Sequence, residues 1–172
     1  MEQVVLVGPE DNEIGTMEKQ QAHVEGRLHR AISVFIFNSE GEMLLQQRAA
    51  GKYHSASLWT NTCCSHPRPG ESSYAAAMRR LHEEMGLACE LKEIFSFVYK
   101  ASLDHDLTEH EFDHVFVGIT DDMPRPDISE VGAWKYISQT SLDKDIEAAP
   151  EKYTEWFKIC RRDWREKLLL KM

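Results

Sequence analysis

No stretch of this 172-residue chain is apolar for long enough to cross a bilayer. Its longest good apolar run is "AISVFIF", Ala31 to Phe37, whereas a spanning helix needs about 20 such residues. The opening "MEQVVLVGPEDNE" has no basic region ahead of an apolar one. A secretory signal is therefore not expected, and the cytoplasm is the expected compartment. Basic runs are also missing. Lys and Arg number 20 against 29 Asp and Glu, for a formal net charge of −9, so no nucleic-acid partner is expected. An acidic chain that binds a small anion must do so through local Lys or Arg, a metal, or both. Cysteine is scarce: Cys63, Cys64, Cys89 and Cys160. Adjacent cysteines in an extended chain do not meet disulfide geometry, and no C-x-x-C spacing exists. For Cys63 and Cys64 this leaves burial as core filler or a reactive thiol. Repeats, low-complexity tracts and linkers are absent too, so residues 1–172 are expected to form a single domain.

What is present alternates between short apolar runs and helical patterns. Strands are predicted over Gln3–Val7 and over Leu28–Asn38, the latter apolar enough to be central. "NSEGE" signals a hairpin, with Met43–Arg48 as the return strand. Further strands are predicted over Glu93–Ala101, His110–Thr120 and Ala133–Ser138. Gly51–Gly70 reads as a loop of a length that is usually functional. A helix is predicted over Ser72–Met85, capped by Ser72 or Ser73 and ended by Gly86. A second is predicted over Glu151–Leu170, with Trp156, Phe157, Ile159, Cys160 and Trp164 on one broad face. The expected class is α/β (α+β): a mixed β-sheet flanked by helices, with a C-terminal helical segment.

The helix at Ser72–Met85 carries a longer pattern. Seven residues separate Glu71 from Arg79, and "RLHEEMGL" follows. This resembles the Nudix pattern, a Gly, five residues, a Glu, seven residues, then R-E-U-x-E-E-x-G-U with U aliphatic. Ser65 stands at the first Gly and Arg80 stands where that pattern has a metal-binding Glu. A guanidinium there removes a ligand and adds a fork suited to phosphate. A Nudix-like fold is therefore implied more strongly than Nudix hydrolysis.

Glu109 and Glu111 lie two apart in "TEHEFDH", which on a strand puts both carboxylates on one face. With His23, His29 and His66 they would make a mixed nitrogen and oxygen site, suited to Mn²⁺, Mg²⁺ or Zn²⁺. Three segments, "RLHRAISVFIFNSEGEMLLQQRA", "WTNTCCSHP" and "EHEFDHVF", together resemble the type 1 isopentenyl-diphosphate isomerases, enzymes on a Nudix fold. The likeness runs from about His23 to Val117 and continues more weakly through the C-terminal helix.

The resemblance implies interconversion of isopentenyl and dimethylallyl diphosphate, with the small isoprenyl diphosphate as the only partner. It implies Cys64, rather than Cys63, as the catalytic cysteine, together with Glu111, Tyr99 and Trp156. It implies a first metal site of His23, His29, His66, Glu109 and Glu111, holding Mn²⁺, Zn²⁺ or Mg²⁺. A second ion, Mg²⁺, would arrive with the diphosphate at Glu84 and the carbonyl of Cys64. Arg48, Lys52 and Arg80 would face the diphosphate. The chemistry asks for an acid able to protonate an alkene and a base across from it. Glu111 with Tyr99 fits the first role and Cys64 the second, and which delivers the first proton stays open here. Trp156 can stabilise a cation through its ring face. The other reading is a Nudix hydrolase of a nucleoside diphosphate derivative, against which Arg80 and the Cys64–His66 pair both count.

Overall fold

The run His29–Phe37 (β3) is apolar on both faces, and the chain uses it as the middle of its sheet. It pairs in parallel with β8 (Thr108–Ile119), from His29 opposite Glu111 to Phe37 opposite Ile119. It also meets β1 (Gln3–Val7), β4 (Met43–Arg48) and β6 (Cys63–Ser65), all antiparallel. The structure is a computed structural model and describes residues 1–169; Leu170, the expected end of the last helix, lies outside them. Among these residues nine strands join one sheet. β2 (Glu13–Glu18) pairs with β1, β5 (Trp59–Thr60) and β9 (Val131–Ile137) pair with β4, and β7 (Leu91–Ser102) pairs with β8.

Alternation along β3 feeds two cores, because successive side chains leave a strand on opposite faces. Phe35 and Phe37 pack with Tyr153, Phe157 and Cys160 beneath α4 (Glu155–Leu169). Ile32, Val34 and Ile36 pack with Leu81 and Met85 of α2 (Ser73–Met85). Each such buried side chain contributes about 1.5–3 kcal/mol. Cys63 is fully buried in the α2 core, while Cys64 turns toward the other side of the sheet.

α2 is delimited as expected. Ser72 accepts from the Ala75 amide at 3.2 Å, and Gly86 adopts φ 62° at the C-cap. A Cβ at Gly86 would also lie 2.6 Å from the Arg125 carbonyl oxygen, so both space and backbone favour glycine. Glu71 clasps the helix from outside. It accepts two 2.8 Å hydrogen bonds from Arg79 and one from the Arg68 amide.

Several elements escape the sequence patterns. The segment 51–70 contains β5 and β6, which are two and three residues long, too short for any periodicity. β2 and the seven-residue α1 (Lys19–Glu25) follow one another in a polar stretch. α3 (Gln139–Ala148) buries only Leu142, so it leaves no apolar stripe. α4 begins at Glu155 rather than Glu151, because Pro150–Lys152 form a separate 3₁₀ turn. No helix of the described residues is long and apolar enough to cross a membrane.

The Glu71 clasp generates a prediction. Hydrogen bonds from Arg79 hold the Glu71 carboxyl below its ordinary 4.5. A depressed acid contributes stability that is present above 4.5 and is lost as the pH falls through the lowered value. Glu71→Gln should cost about 1 kcal/mol in urea unfolding at pH 7. That difference from wild type should close in strongly acidic buffer.

Candidate active site and metal centre

Strand register builds the centre. β8 places Glu109 and Glu111 on one face, β3 sets His29 opposite Glu111, and β7 sets Tyr99 opposite it from the other side. His66 follows β6, and His23 comes from α1. These elements surround a cavity of about 560 Å³, the size of a small-ligand pocket. Its walls include Cys64, His66, Tyr99, Glu109, Glu111 and Trp156, and its rim includes Arg48, Lys52, Arg80 and Glu84.

His29 Nε2 and His66 Nε2 lie 3.2 Å apart, and both approach Glu111 Oε1, at 3.5 and 2.9 Å. His29 Nδ1 sits 2.8 Å from the Arg27 carbonyl, so it carries the hydrogen and leaves Nε2 with its lone pair. The same arrangement holds for His23, whose Nδ1 donates to the Lys19 carbonyl at 2.7 Å. Its Nε2 is buried without a hydrogen-bond partner among the described residues. Burial lowers the His23 pKa and brings His66 down to about 4, so both rings are neutral near pH 7. Imidazoles gathered about a carboxylate, two of them, His23 and His29, fixed by backbone carbonyls, are the donor set of a divalent cation. One ligand atom each from His23, His29, His66 and Glu111 falls within 4.8 Å of the others. The residues fit a metal. Glu109 falls into a different group, with His23 and His54.

Tyr99 donates to Glu111 Oε2 at 2.6 Å and lies 3.0 Å from Glu109 Oε2. One phenolic proton thus sits between two buried carboxylates. Burial pushes Glu109 well above the usual carboxylate range, with Glu111 adding to it. Burial acts the same way on Glu111, but the imidazoles of His29 and His66 at Oε1 outweigh it and hold that carboxyl low.

Cys64 lines the same cavity. Its thiol donates to Asn61 Oδ1 at 2.9 Å, and the Trp156 indole N–H donates to its sulfur at 3.1 Å. Ser33 Oγ, 3.6 Å from the sulfur, donates to the buried Asp113 at 2.7 Å. Burial, with Asp113 nearby, pushes the Cys64 thiol far up, so it is protonated in this state. Arg48 does not offset this, because its guanidinium lies over the Trp156 ring at 5.3 Å and donates to the His54 carbonyl.

At the rim Arg80, Lys52 and Lys19 each have an acid partner, whereas Arg48 rests on Trp156. Arg80 donates to Glu84 Oε1 at 2.6 Å, and Gln46 donates to Glu84 Oε2 at 2.7 Å. Lys52 pairs with Glu130, and Lys19 pairs with Glu2 at 3.0 Å. Lys19 lines the same cavity. Neither it nor His54 stood out in the sequence, since each sits in a polar stretch without a motif.

The NUDIX domain family matches residues 27–157. The chain is 53% identical over 159 residues to "Isopentenyl-diphosphate Delta-isomerase 2" of Aromatoleum aromaticum, covering 92% of this chain and 84% of that one. It is 52% identical to the isopentenyl-diphosphate Delta-isomerase of Pectobacterium atrosepticum, covering 91% and 88%. The chain belongs to the isopentenyl-diphosphate Delta-isomerase family. Its fold is also that of DR0079 from Deinococcus radiodurans, with a TM-score of 0.78 at 18% identity, covering 95% of this chain and 100% of that one. A MutT protein from Methanosarcina mazei matches with a TM-score of 0.62 at 19% identity, over 77% and 88% of the two chains. At that identity these two report the fold alone.

For a member of the isopentenyl-diphosphate Delta-isomerase family, the convergence of His29 and His66 on Glu111 makes a direct prediction. His29→Ala should weaken divalent-metal binding at least tenfold in chelator competition, since even outer-shell partners of a metal contribute about 10- to 100-fold. Retained affinity would place the ion elsewhere.

Proposed function

We propose that this chain isomerises isopentenyl diphosphate to dimethylallyl diphosphate and back by adding a proton at one allylic carbon and removing one at the other. The observation that carries this reading is identity above half, over nine-tenths of the chain, to proteins bearing that activity in their names. Cys64, Tyr99 and Glu111 facing one cavity support it. Hydrolysis of a nucleoside diphosphate derivative is the weaker reading, since Arg80 occupies a carboxylate position of the Nudix pattern.

The alkene's electron pair forms a new C–H bond, leaving a tertiary carbocation. A C–H bond on the other side then breaks, and its electrons close the new double bond. Cys64 and Glu111, the latter with Tyr99, are the two groups that exchange these protons. In the resting chain the proton sits on Cys64, because burial disfavours the thiolate, while the imidazoles keep Glu111 ionised. The resting chain therefore has a proton on the thiol and a vacant acceptor at the Glu111–Tyr99 pair, and reversal of the reaction exchanges their jobs. The reading of Cys64 as a base lowered by nearby cations is the less favoured one, because Arg48 is engaged with Trp156 and not with the sulfur. Trp156 holds the sulfur by its N–H, and its ring face becomes available to the carbocation once Arg48 turns to the diphosphate.

A divalent ion at His23, His29, His66, Glu109 and Glu111 would supply positive charge that polarises Glu111 and fixes its orientation; we take it as Mn²⁺ or Zn²⁺, with Mg²⁺ as the other candidate. A Mg²⁺ ion with the diphosphate would sit at Glu84 and the Cys64 carbonyl. Arg48, Lys52 and Arg80 would bind the diphosphate, Lys52 and Arg80 exchanging acid partners for phosphate oxygens and Arg48 leaving the Trp156 ring. Binding energy at that end orients a small apolar tail against Cys64 and Tyr99. We take residues 1–172 as one domain acting in the cytoplasm.

Incubation with isopentenyl diphosphate and Mg²⁺ in deuterated water tests the reaction. Deuterium should appear in dimethylallyl diphosphate; release of inorganic phosphate without isomer would overturn the reading. Cys64→Ala should lower turnover by about 10²- to 10⁴-fold or more, while Cys63→Ala keeps most of it. Arg80→Ala should raise KM by roughly tenfold or more, since a charge-assisted hydrogen bond contributes about 1.5–3 kcal/mol. An unchanged KM would leave Arg80 as no more than the partner of Glu84.

A further inference from the structure

Glu109 is the one expected metal residue that does not group with His29, His66 and Glu111. One of its carboxylate oxygens instead lies within 4.8 Å of single ring nitrogens of both His54 and His23. All three residues are buried, His23 at 0% exposure and His54 and Glu109 at 5% each. Two imidazole nitrogens and a carboxylate oxygen therefore converge in a dry place. Tyr99 is the side chain that donates to Glu109 there. Such a set of acceptors is satisfied by a cation better than by any arrangement of protons.

His54 is also held in place. Its Nδ1 lies 3.3 Å from Ser55 Oγ, and its carbonyl accepts from Arg48 at 3.2 Å. Its ring packs edge-on against Tyr53 at 4.4 Å and Trp156 at 6.0 Å. The next residue, Ser55, is anchored through its amide to the Asp104 carboxylate, at 3.2 and 3.3 Å. An imidazole fixed on its ring edge, its faces and its backbone loses little freedom on binding an ion.

We propose that His54 is a direct ligand of the metal centre, so that in this chain a single divalent cation is held by four histidines rather than three. His23 is the hinge of the assignment. His23 belongs to both groups of donors; its Nδ1 is engaged by the Lys19 carbonyl, and its Nε2 is buried without a hydrogen-bond partner among the described residues, which leaves Nε2 as its one free lone pair. One nitrogen lone pair binds one ion, so the two groups are two facets of one centre. One facet is His23, His29, His66 and Glu111; the other is His23, His54 and Glu109. The inference rests on the reading of this cluster as a metal site and adds to it a residue from the 51–70 segment.

The test counts ligating nitrogens. The full chain, with its histidines labelled with ¹⁵N, is loaded with ¹¹³Cd²⁺, and one-bond cadmium–nitrogen couplings are recorded alongside elemental analysis. The expected result is one ion per chain with four coupled imidazoles. His54→Ala and His54→Gln should each leave three coupled imidazoles and weaken Cd²⁺ and Zn²⁺ binding at least tenfold in chelator competition. Three couplings in wild type, all kept in either variant with unchanged affinity, would overturn the role of His54 while leaving the metal site intact. Two ions per chain would overturn the shared centre. No cadmium uptake by wild type would overturn the metal-site reading itself. The wild-type count decides the matter even if a variant fails to fold.

Discussion

The centre of this molecule depends on a carboxylate that the fold takes out of water. Glu111 is 6% exposed, and burying an ionised carboxylate is costly unless donors or cations compensate it. The compensation comes from three directions. His29 and His66 approach one oxygen and Tyr99 donates to the other. None of these is a sequence neighbour of Glu111. They meet it because β3 and β8 run parallel in register and β7 returns antiparallel on the far side. A slip of one residue in either pairing would turn the facing side chains to the other face and leave Glu111 without its partners. The long, largely apolar β3 makes that slip costly, since its alternate residues fill both cores.

The same alternation resolves the twin cysteines. Cys63 and Cys64 are chemically identical and adjacent, and the strand sends one into the α2 core and the other into the cavity. Around Cys64 the protein has built a polar cradle of Asn61, Ser33 and the Trp156 indole, yet it keeps the thiol neutral by burial. The centre therefore holds a protonated sulfur and an ionised carboxylate in one pocket. The charged end of the pocket is organised differently. Lys19, Arg80 and Lys52 rest there against Glu2, Glu84 and Glu130, so each of these three cations is kept in place by an acid.

Much of this was legible in the sequence. The spacing from Glu71 to Leu87, the His-Cys segment and the paired glutamates carried the family and the fold and named residues that line one cavity, because each is a short-range pattern with a chemical reason for its spacing. Strands β1, β3, β4 and β8 and helix α2 announced themselves by periodicity and by their caps. The small elements did not. β5 and β6 are too short to have a period, α3 buries a single leucine, and α1 is a seven-residue helix in a polar stretch, capped by Glu18 and Gly26 but with no apolar stripe to mark it. His54 and Lys19 were hidden for the same reason: nothing around them in the chain distinguishes a pocket residue from a surface one.

By itself the sequence determined which residues could do the chemistry and which local structures would carry them, since residue type, capping and alternation act over a few positions. The tertiary structure decided which of those residues meet. It set Glu109 beside His54 rather than with His29 and His66, placed Arg48 on Trp156 instead of on the Cys64 sulfur, and closed both Glu84 oxygens with Arg80 and Gln46. It also decided the proton's resting place. A thiol's or carboxyl's affinity for a proton depends on how much water and which charges surround it, and those are properties of the packed molecule rather than of the chain.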